Sequence, residues 1–264
     1  MRIQGISGSR GVAVGNVYKY IQEEIVIPDY EVTDDQVEAE IGKFASAMAA
    51  TLKQLDTIRQ KALVDMGADE AAIFEAHMQI AQDPSLSDGI KSLVENSKMN
   101  VVAATAQTIE TFAAIFIGMD DPYMRERGAD IKDIGDRLMR NMLGMNPRGL
   151  SHISGEVIIV AHDLAPSDTA SLDKNVVKGI VTAAGGPTSH AAIMARTLEI
   201  PAVMGVGDIE SFTDDVRAVV LGTDGEVITE PSDEEWERYT KEAADFQDEL
   251  KRLKDSANLE AVTK

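Results

Sequence analysis

The chain contains no cysteine in its 264 residues. Disulfides, thiolate metal sites and a cysteine nucleophile are therefore excluded. Positive charge is also short: 25 Lys and Arg stand against 45 Asp and Glu, a net charge of −20. Nucleic acid is a poor partner for such a chain, because binding it requires a basic face to neutralise phosphates. The acidity suits a partner with a neutral or basic docking surface, and part of it serves solubility through self-repulsion. No run approaches the roughly 18 apolar residues of a membrane span. The opening Met1-Arg2-Ile3-Gln4-Gly5 begins no signal peptide. The expectation is a cytoplasmic protein with no membrane or nucleic-acid partner. His152 and His162 have no ligand-like spacing with carboxylates, so no metal site is expected in this chain.

What is present is organised around one stretch, Gly185-Gly186-Pro187-Thr188-Ser189-His190-Ala191-Ala192-Ile193-Met194-Ala195-Arg196. A buried strand over 176–182 precedes it. The glycines predict a tight turn, and Thr188 or Ser189 can cap a short helix with His190 on its first turn. Pro201 disfavours helix at Ile200, so the helix ends near Glu199. A helix N-terminus offers N–H groups and partial positive charge, which suits phosphate. The same field disfavours an imidazolium and pushes His190 below the usual histidine value of about 6.5. A neutral imidazole carries a lone pair that can attack phosphorus. His190 is the candidate nucleophile, and Gly185, Gly186, Thr188 and Ser189 are the candidate phosphate loop. The alternative is a helix-capping histidine with no chemistry. A Ser189–His190 hydrolase pair is disfavoured because adjacent residues rarely present nucleophile and base to one another.

Residues 1–28 predict short strands, with Ile25-Val26-Ile27 a possible further extended piece. Thr33-Asp34-Asp35-Gln36 is a capping box. An apolar stripe through Val37, Ile41, Phe44, Met48, Leu52, Leu55 and Ile58 then predicts a long amphipathic helix. Further helices follow from about Asp69, from Asp83-Pro84, from Asn100 and from Asp121-Pro122, the last ending at Gly144. Strand patterns return over 156–161, 176–182, 201–205 and 217–221, with a hairpin turn at Asp224-Gly225. Ala165 to Ala170 opens a short helix. Ser232-Asp233-Glu234-Glu235 is a second capping box, and the helix it starts carries only a thin stripe: Trp236, Tyr239, Phe246, Leu250 and Leu253. The pattern predicts an α/β domain from 1–30 and 146–230, interrupted by an all-α bundle over 33–144. A connector helix over 232–264 comes last.

The histidine motif resembles the phosphohistidine signature of the phosphoenolpyruvate-utilising enzymes. The order of elements, with the runs Ala72–His77, Glu126–Gly135 and Ala161–Thr169, resembles the N-terminal half of Enzyme I, the phosphoenolpyruvate–protein phosphotransferase of the bacterial sugar phosphotransferase system. The resemblance covers essentially the whole chain. It implies a swivelling α/β phosphohistidine domain in which His190 takes a phosphoryl group on Nε2 and passes it to a histidine of the carrier protein HPr. Thr169 matches the threonine that hydrogen-bonds the active imidazole. The helical bundle would dock HPr, with Ala72, Glu75, His77, Ile80, Leu86, Met124, Arg127 and Lys132 at the partner-contact positions. Arg127 would face the phosphoryl group in transit, and Lys132 stands where some members have arginine. Pro187 stands where many bacterial members have arginine, a departure expected to retune phosphate capture without removing the chemistry. The donor site and its magnesium would belong to an absent C-terminal domain, which also makes the dimer. A chain of these residues alone is expected to be monomeric, to need no cofactor, and to exchange phosphate only with HPr. The competing readings are another phosphohistidine enzyme of the same family and a non-catalytic HPr-binding module.

Overall fold

The computed structural model describes residues 1–21, 23–145, 150, 153, 155–170 and 172–257. The sequence-based boundary at 146, His152 and the last residues of the connector lie outside them. Chain contacts divide the molecule into two compact units. One comprises Met1–Ile21, Leu150–Ala165 and Leu172–Lys264, and the other Gln22–Gly149 and Pro166–Ser171.

The first unit is built on an eight-stranded mixed sheet in the order β1-β8-β7-β3-β4-β5-β6-β2. The strands are β1 (Arg2–Gln4), β2 (Ile6–Ser9), β3 (Val12–Tyr20), β4 (Val157–Ala161), β5 (Val177–Thr182), β6 (Ala202–Met204), β7 (Arg217–Leu221) and β8 (Glu226–Thr229). β3 is the hinge of the topology. It runs antiparallel to β7, with Val14 opposite Val219, and parallel to β4, with Val17 opposite Ile158. β4, β5 and β6 continue the parallel run. β1 and β2 stand at opposite ends of the sheet although only Gly5 separates them in sequence. The sheet must therefore curl until its ends meet at Gly5, whose N–H extends the β1–β8 pairing to Gly225 O at 2.8 Å. A Cβ on Gly5 would lie 2.6 Å from Met204 O, so the approach excludes any side chain.

The continuous apolar run of β7 is explained by burial on both faces. Ala218 and Val220 join Ile158, Val160, Val181, Val203 and Val227 in one cluster, while Val219 and Leu221 pack with Ile228 and Tyr239 in another. The alternation is the two-residue period of a strand. Tyr239 belongs to α8 (Asp233–Ala257), whose apolar stripe covers the second face with help from Trp236. The stripe that predicts a mere connector is thus, in its first half, a layer of this unit; Leu253 remains exposed. The Ser232–Glu235 capping box forms in both directions: Glu235 N–H donates to Ser232 Oγ at 3.2 Å and Ser232 N–H to Glu235 Oε2 at 3.1 Å.

The second unit holds α1 (Val37–Asp65), α2 (Ala68–Ala81), α3 (Pro84–Ser97), α4 (Val101–Ile117), α5 (Pro122–Leu143) and the one-turn α6 (Pro166–Thr169). Local signals set the helix starts. Asp83 caps α3 by accepting from Ser85 N at 2.8 Å, with Pro84 at the first position. Asn100 caps α4 by accepting from Ala103 N at 2.9 Å, and its amide donates to Pro28 O and Tyr30 O. The Thr33–Gln36 box forms by halves: Gln36 Oε1 accepts from Thr33 N at 3.1 Å, but α1 begins only at Val37. Phe44, Leu86, Ile90, Val94, Val102, Ile109, Ile131 and Leu138 form the core. A buried side chain of this size contributes about 1.5–3 kcal/mol. Gly128 and Gly135, two turns apart on α5, let α4 approach: a Cβ at either would meet Ile117 or Ile109 within 2.6 Å.

Two expectations need correction. Ile25-Val26-Ile27 forms no strand; Val26 and Ile27 are exposed and have no strand beside them. The short helix Pro166–Thr169 lies in the α/β segment of the chain but packs with the helices. No helix among the described residues is long and apolar enough to cross a membrane.

Candidate functional site

His190 is the first residue of α7 (His190–Leu198), directly after the Gly185–Ser189 loop. Of the two candidate caps, Ser189 serves. Its Oγ accepts from Ala192 N at 3.3 Å and donates to Gly186 O at 2.9 Å, tying the helix start to the loop. Gly185 has φ +92°, which favours glycine and turns the chain between β5 and the cap. Behind the loop, Thr182 Oγ1 donates to Ala184 O at 2.6 Å, and Ala184 N–H donates to His162 O at 2.9 Å. Arg196 on the same helix donates to Gly8 O at 2.8 Å, fixing α7 against β2. Ala191, Ala192, Met194 and Ala195 are buried, whereas His190 is half-buried and Pro187 and Thr188 are exposed. The fold therefore holds the helix backbone firmly and leaves the imidazole partly open. Helix geometry leaves the first N–H groups without intrahelical acceptors, and they point at the space an anion would enter.

Thr169 ends α6 in the helical unit and is fully buried. Its hydroxyl donates to Pro166 O at 2.9 Å. With the proton committed there, the oxygen's remaining capacity is as an acceptor. Ser167, two residues before, donates to Asp133 Oδ1 on α5 at 2.8 Å.

The eight partner-contact positions are sorted by the helical unit. Ile80, Leu86, Met124 and Arg127 line one groove of about 340 Å³, together with Phe112, Phe116 and Ile131. Gln79, Asp83 and Arg127 are its polar members. Ala72 and Glu75 are exposed on α2. They share a helix face with Ala76 and Gln79 by the three-to-four spacing. Lys132 is exposed on α5 and pairs with Glu110 at 3.1 Å. His77 differs from all of these. It is fully buried, with Nε2 3.1 Å from Asp130 Oδ1 and Nδ1 3.7 Å from Asp133 Oδ2. Phe74 packs edge-on to its ring, centroids 5.7 Å apart. A side chain with no exposed surface is not a docking contact in this structure; the helical phase of α2 turns residues 74, 77 and 81 to the core.

Sequence reasoning missed Asp130, Asp133 and Ser167 as members of a buried polar cluster. The available signal was the Asp130/Asp133 spacing, which puts two carboxylates on one helix face. Phe112, Phe116 and Ile131 were missed as well, because the groove forms only where four helices come together. Among the described residues no group of three or more His, Asp or Glu is arranged to hold a metal ion.

Comparison with known proteins gives these features a class. Residues 4–127 match the family model described as PEP-utilising enzyme, N-terminal, and residues 153–225 match PEP-utilising enzyme, mobile domain. The chain is 42% identical over 245 residues to the phosphoenolpyruvate-protein phosphotransferase of Listeria monocytogenes, covering 92% of this chain and 42% of that protein. It is 39% identical over 267 residues to the protein of the same name from Staphylococcus carnosus, covering 98% and 46%. The chain thus spans less than half the length of these relatives. A solution structure titled as Enzyme I (nEIt) superposes with a TM-score of 0.79 at 36% identity, covering 93% of this chain and 99% of that one. The N-terminal domain of an Enzyme 1 titled Nitrogen shares the fold, with a TM-score of 0.59 at 24% identity. The class is the phosphoenolpyruvate-utilising enzymes. Within it, the chain belongs to the Enzyme I family of phosphoenolpyruvate-protein phosphotransferases and corresponds to their N-terminal domain.

Proposed function

We propose that this chain is the phosphohistidine-bearing and carrier-docking part of a phosphoenolpyruvate–protein phosphotransferase. His190 is the nucleophile and HPr the partner. In this reading the unit of residues 1–21, 150–165 and 172–264 contains the swivelling phosphohistidine domain, and the helical unit, α6 included, is the inserted HPr dock. α8 leads toward a C-terminal domain that binds phosphoenolpyruvate and magnesium. By itself the chain is monomeric, works in the cytoplasm, and exchanges phosphate with HPr alone. The observation that carries the reading is the place of His190: first residue of a capped helix, after a loop whose Gly185 is left-handed, with the ring half-buried.

The chemistry follows. The Nε2 lone pair attacks phosphorus; a P–N bond forms as the donor's bond to phosphorus breaks. In the return step an imidazole of HPr attacks the same phosphorus. The bond to His190 breaks and its electron pair goes back to Nε2. Little covalent work falls to the protein, and the gain comes from alignment and charge stabilisation. Thr169 fits the orienting role because its proton is already given to Pro166 O, so its oxygen would accept Nδ1–H and keep Nε2 unprotonated. The apolar groove with Ile80, Leu86 and Met124 gives a carrier protein a desolvated anchor, and Arg127 at its edge supplies positive charge for the phosphoryl oxygens.

The test is His190→Ala against HPr. Binding should survive nearly unchanged, because the groove belongs to the helical unit, while transfer disappears. Transfer that persists in the variant would move the nucleophile elsewhere. Wild-type binding with no transfer at all would leave only a docking module.

A further inference from the structure

We infer that Asp133 is a positioning residue for phosphoryl transfer, acting through Ser167 on the one-turn helix that carries Thr169. The inference rests on the reading of His190 and Thr169 given above.

α6 has four residues and closes one helical turn, with Ala170 N–H on Pro166 O at 3.0 Å. A single turn does not hold its own geometry, because nucleating it fixes many dihedrals for one hydrogen bond. Its placement must come from tertiary ties. One such tie in the helical unit is the Ser167 hydroxyl donating to Asp133 Oδ1 at 2.8 Å, with Ser167 fully buried and Asp133 nearly so. A carboxylate acceptor shielded from water makes this a bond of the strong, charge-assisted kind.

Asp133 sits in a buried polar cluster with His77 and Asp130. Its Oδ2 faces His77 Nδ1 at 3.7 Å, and His77 Nε2 lies 3.1 Å from Asp130 Oδ1. Asp130 Oδ2 lies 3.5 Å from Arg127, which lines the groove. α2 and α5 therefore enclose the carboxylate that anchors α6, with the fully buried His77 packed beside it. Two residues along from Ser167, the Thr169 hydroxyl has its direction set by the α6 turn through Pro166 O. Loosening the anchor loosens that direction.

The experiment measures single-turnover transfer to the full chain from HPr phosphorylated on its histidine, by rapid quench. The proteins are wild type, Ser167→Ala, Thr169→Ala and the double variant. Ser167→Ala is expected to slow transfer roughly three- to tenfold, a fraction of the effect of losing one hydrogen bond to a charged group, because the bond reaches the rate only through Thr169. In the Thr169→Ala background the same change should add nothing, since Ser167 acts only through Thr169. HPr affinity should be unchanged in all four. Asp133→Asn, which keeps the shape and removes the charge, should repeat the pattern with smaller amplitude, and it carries the test should Ser167→Ala not fold. Equal slowing in both backgrounds, or no slowing in either, overturns the anchor while leaving Thr169 its role. A wild-type rate for Thr169→Ala refutes the orienting role itself, and the positioning of α6 falls with it.

Discussion

Replacing Ser189 separates the two jobs of the residue before the nucleophile. Its Oγ accepts from Ala192 N at 3.3 Å and donates to Gly186 O at 2.9 Å. Ser189→Ala removes both bonds. Loss of an N-cap costs about 1 kcal/mol, and a half-exposed Gly186 carbonyl left to water adds about 0.5 kcal/mol. The expected destabilisation is about 1–2 kcal/mol, with the start of α7 and His190 freed to fray. Ser189→Asp behaves in the opposite way. Aspartate caps as well as serine and adds about 0.3–1 kcal/mol by facing the helix dipole. It also puts an anion beside the entering phosphoryl group. At a separation of about 5 Å, like charges repel by roughly 1 kcal/mol in water-like surroundings and by about 3 kcal/mol at an effective dielectric of about 20. That is a slowing of roughly five- to 150-fold. Urea denaturation followed by circular dichroism, with rapid-quench transfer from phosphorylated HPr, reads both axes. The aspartate variant should be at least as stable as wild type yet markedly slower. Transfer at the wild-type rate in Ser189→Asp would refute the claim that phosphate arrives at this helix end.

Three further outcomes follow from named contacts. Asn100→Ala removes the α4 cap and strips Pro28 O and Tyr30 O of a buried donor; it should cost about 2–4 kcal/mol, and a loss below 0.5 kcal/mol in urea denaturation would contradict the structure. Met124→Ala, in the groove, should raise the HPr concentration for half-saturation roughly tenfold with the saturated rate unchanged; a fall in the saturated rate alone would remove Met124 from the dock. The Ser232 N–H holds the Glu235 carboxyl below the usual range. A depressed folded value means its contribution is present above the unfolded value of about 4.3 and fades as pH falls through the lower folded one. Trp236, the single tryptophan, sits at that helix start and reports it. Its fluorescence should change as pH drops below about 4, and the transition should vanish in Glu235→Gln, which keeps the acceptor; an identical transition in both proteins would assign it elsewhere.

How much of this was legible in the sequence depended on range. Asp83-Pro84, Asn100 and Ser232–Glu235 are signals complete within four residues, and the structure places helix starts at each. Ser189 and His190 belong to the same class, since cap and first helical residue are adjacent. The pairing of β3 with β4 was not legible: five helices lie between them, and no local pattern says that Val17 meets Ile158. The positions of β1 and β2 at opposite ends of the sheet, one residue apart in sequence, are likewise a product of closure. Val26 and Ile27 misled because a short apolar run becomes a strand only when a neighbour offers its edge. The thin stripe of α8 misled in the other direction, because Val219, Leu221 and Ile228 supply an apolar face that a wide stripe would otherwise have implied. His77 shows the finest limit. Its place on α2 was legible, but a single helical phase turned it inward to Asp130 and Asp133. The groove itself draws on α2, α3, α4 and α5, so its residues read individually as core.

The central claim is that His190 takes and returns a phosphoryl group. The most direct measurement is the intact mass of the chain after mixing with phosphorylated HPr, and separately with phosphoenolpyruvate and magnesium. The account predicts one acid-labile phosphoryl gain from phosphorylated HPr, none from phosphoenolpyruvate, and none from either in His190→Ala. A gain that survives in His190→Ala, or no gain in the wild-type chain, would contradict it.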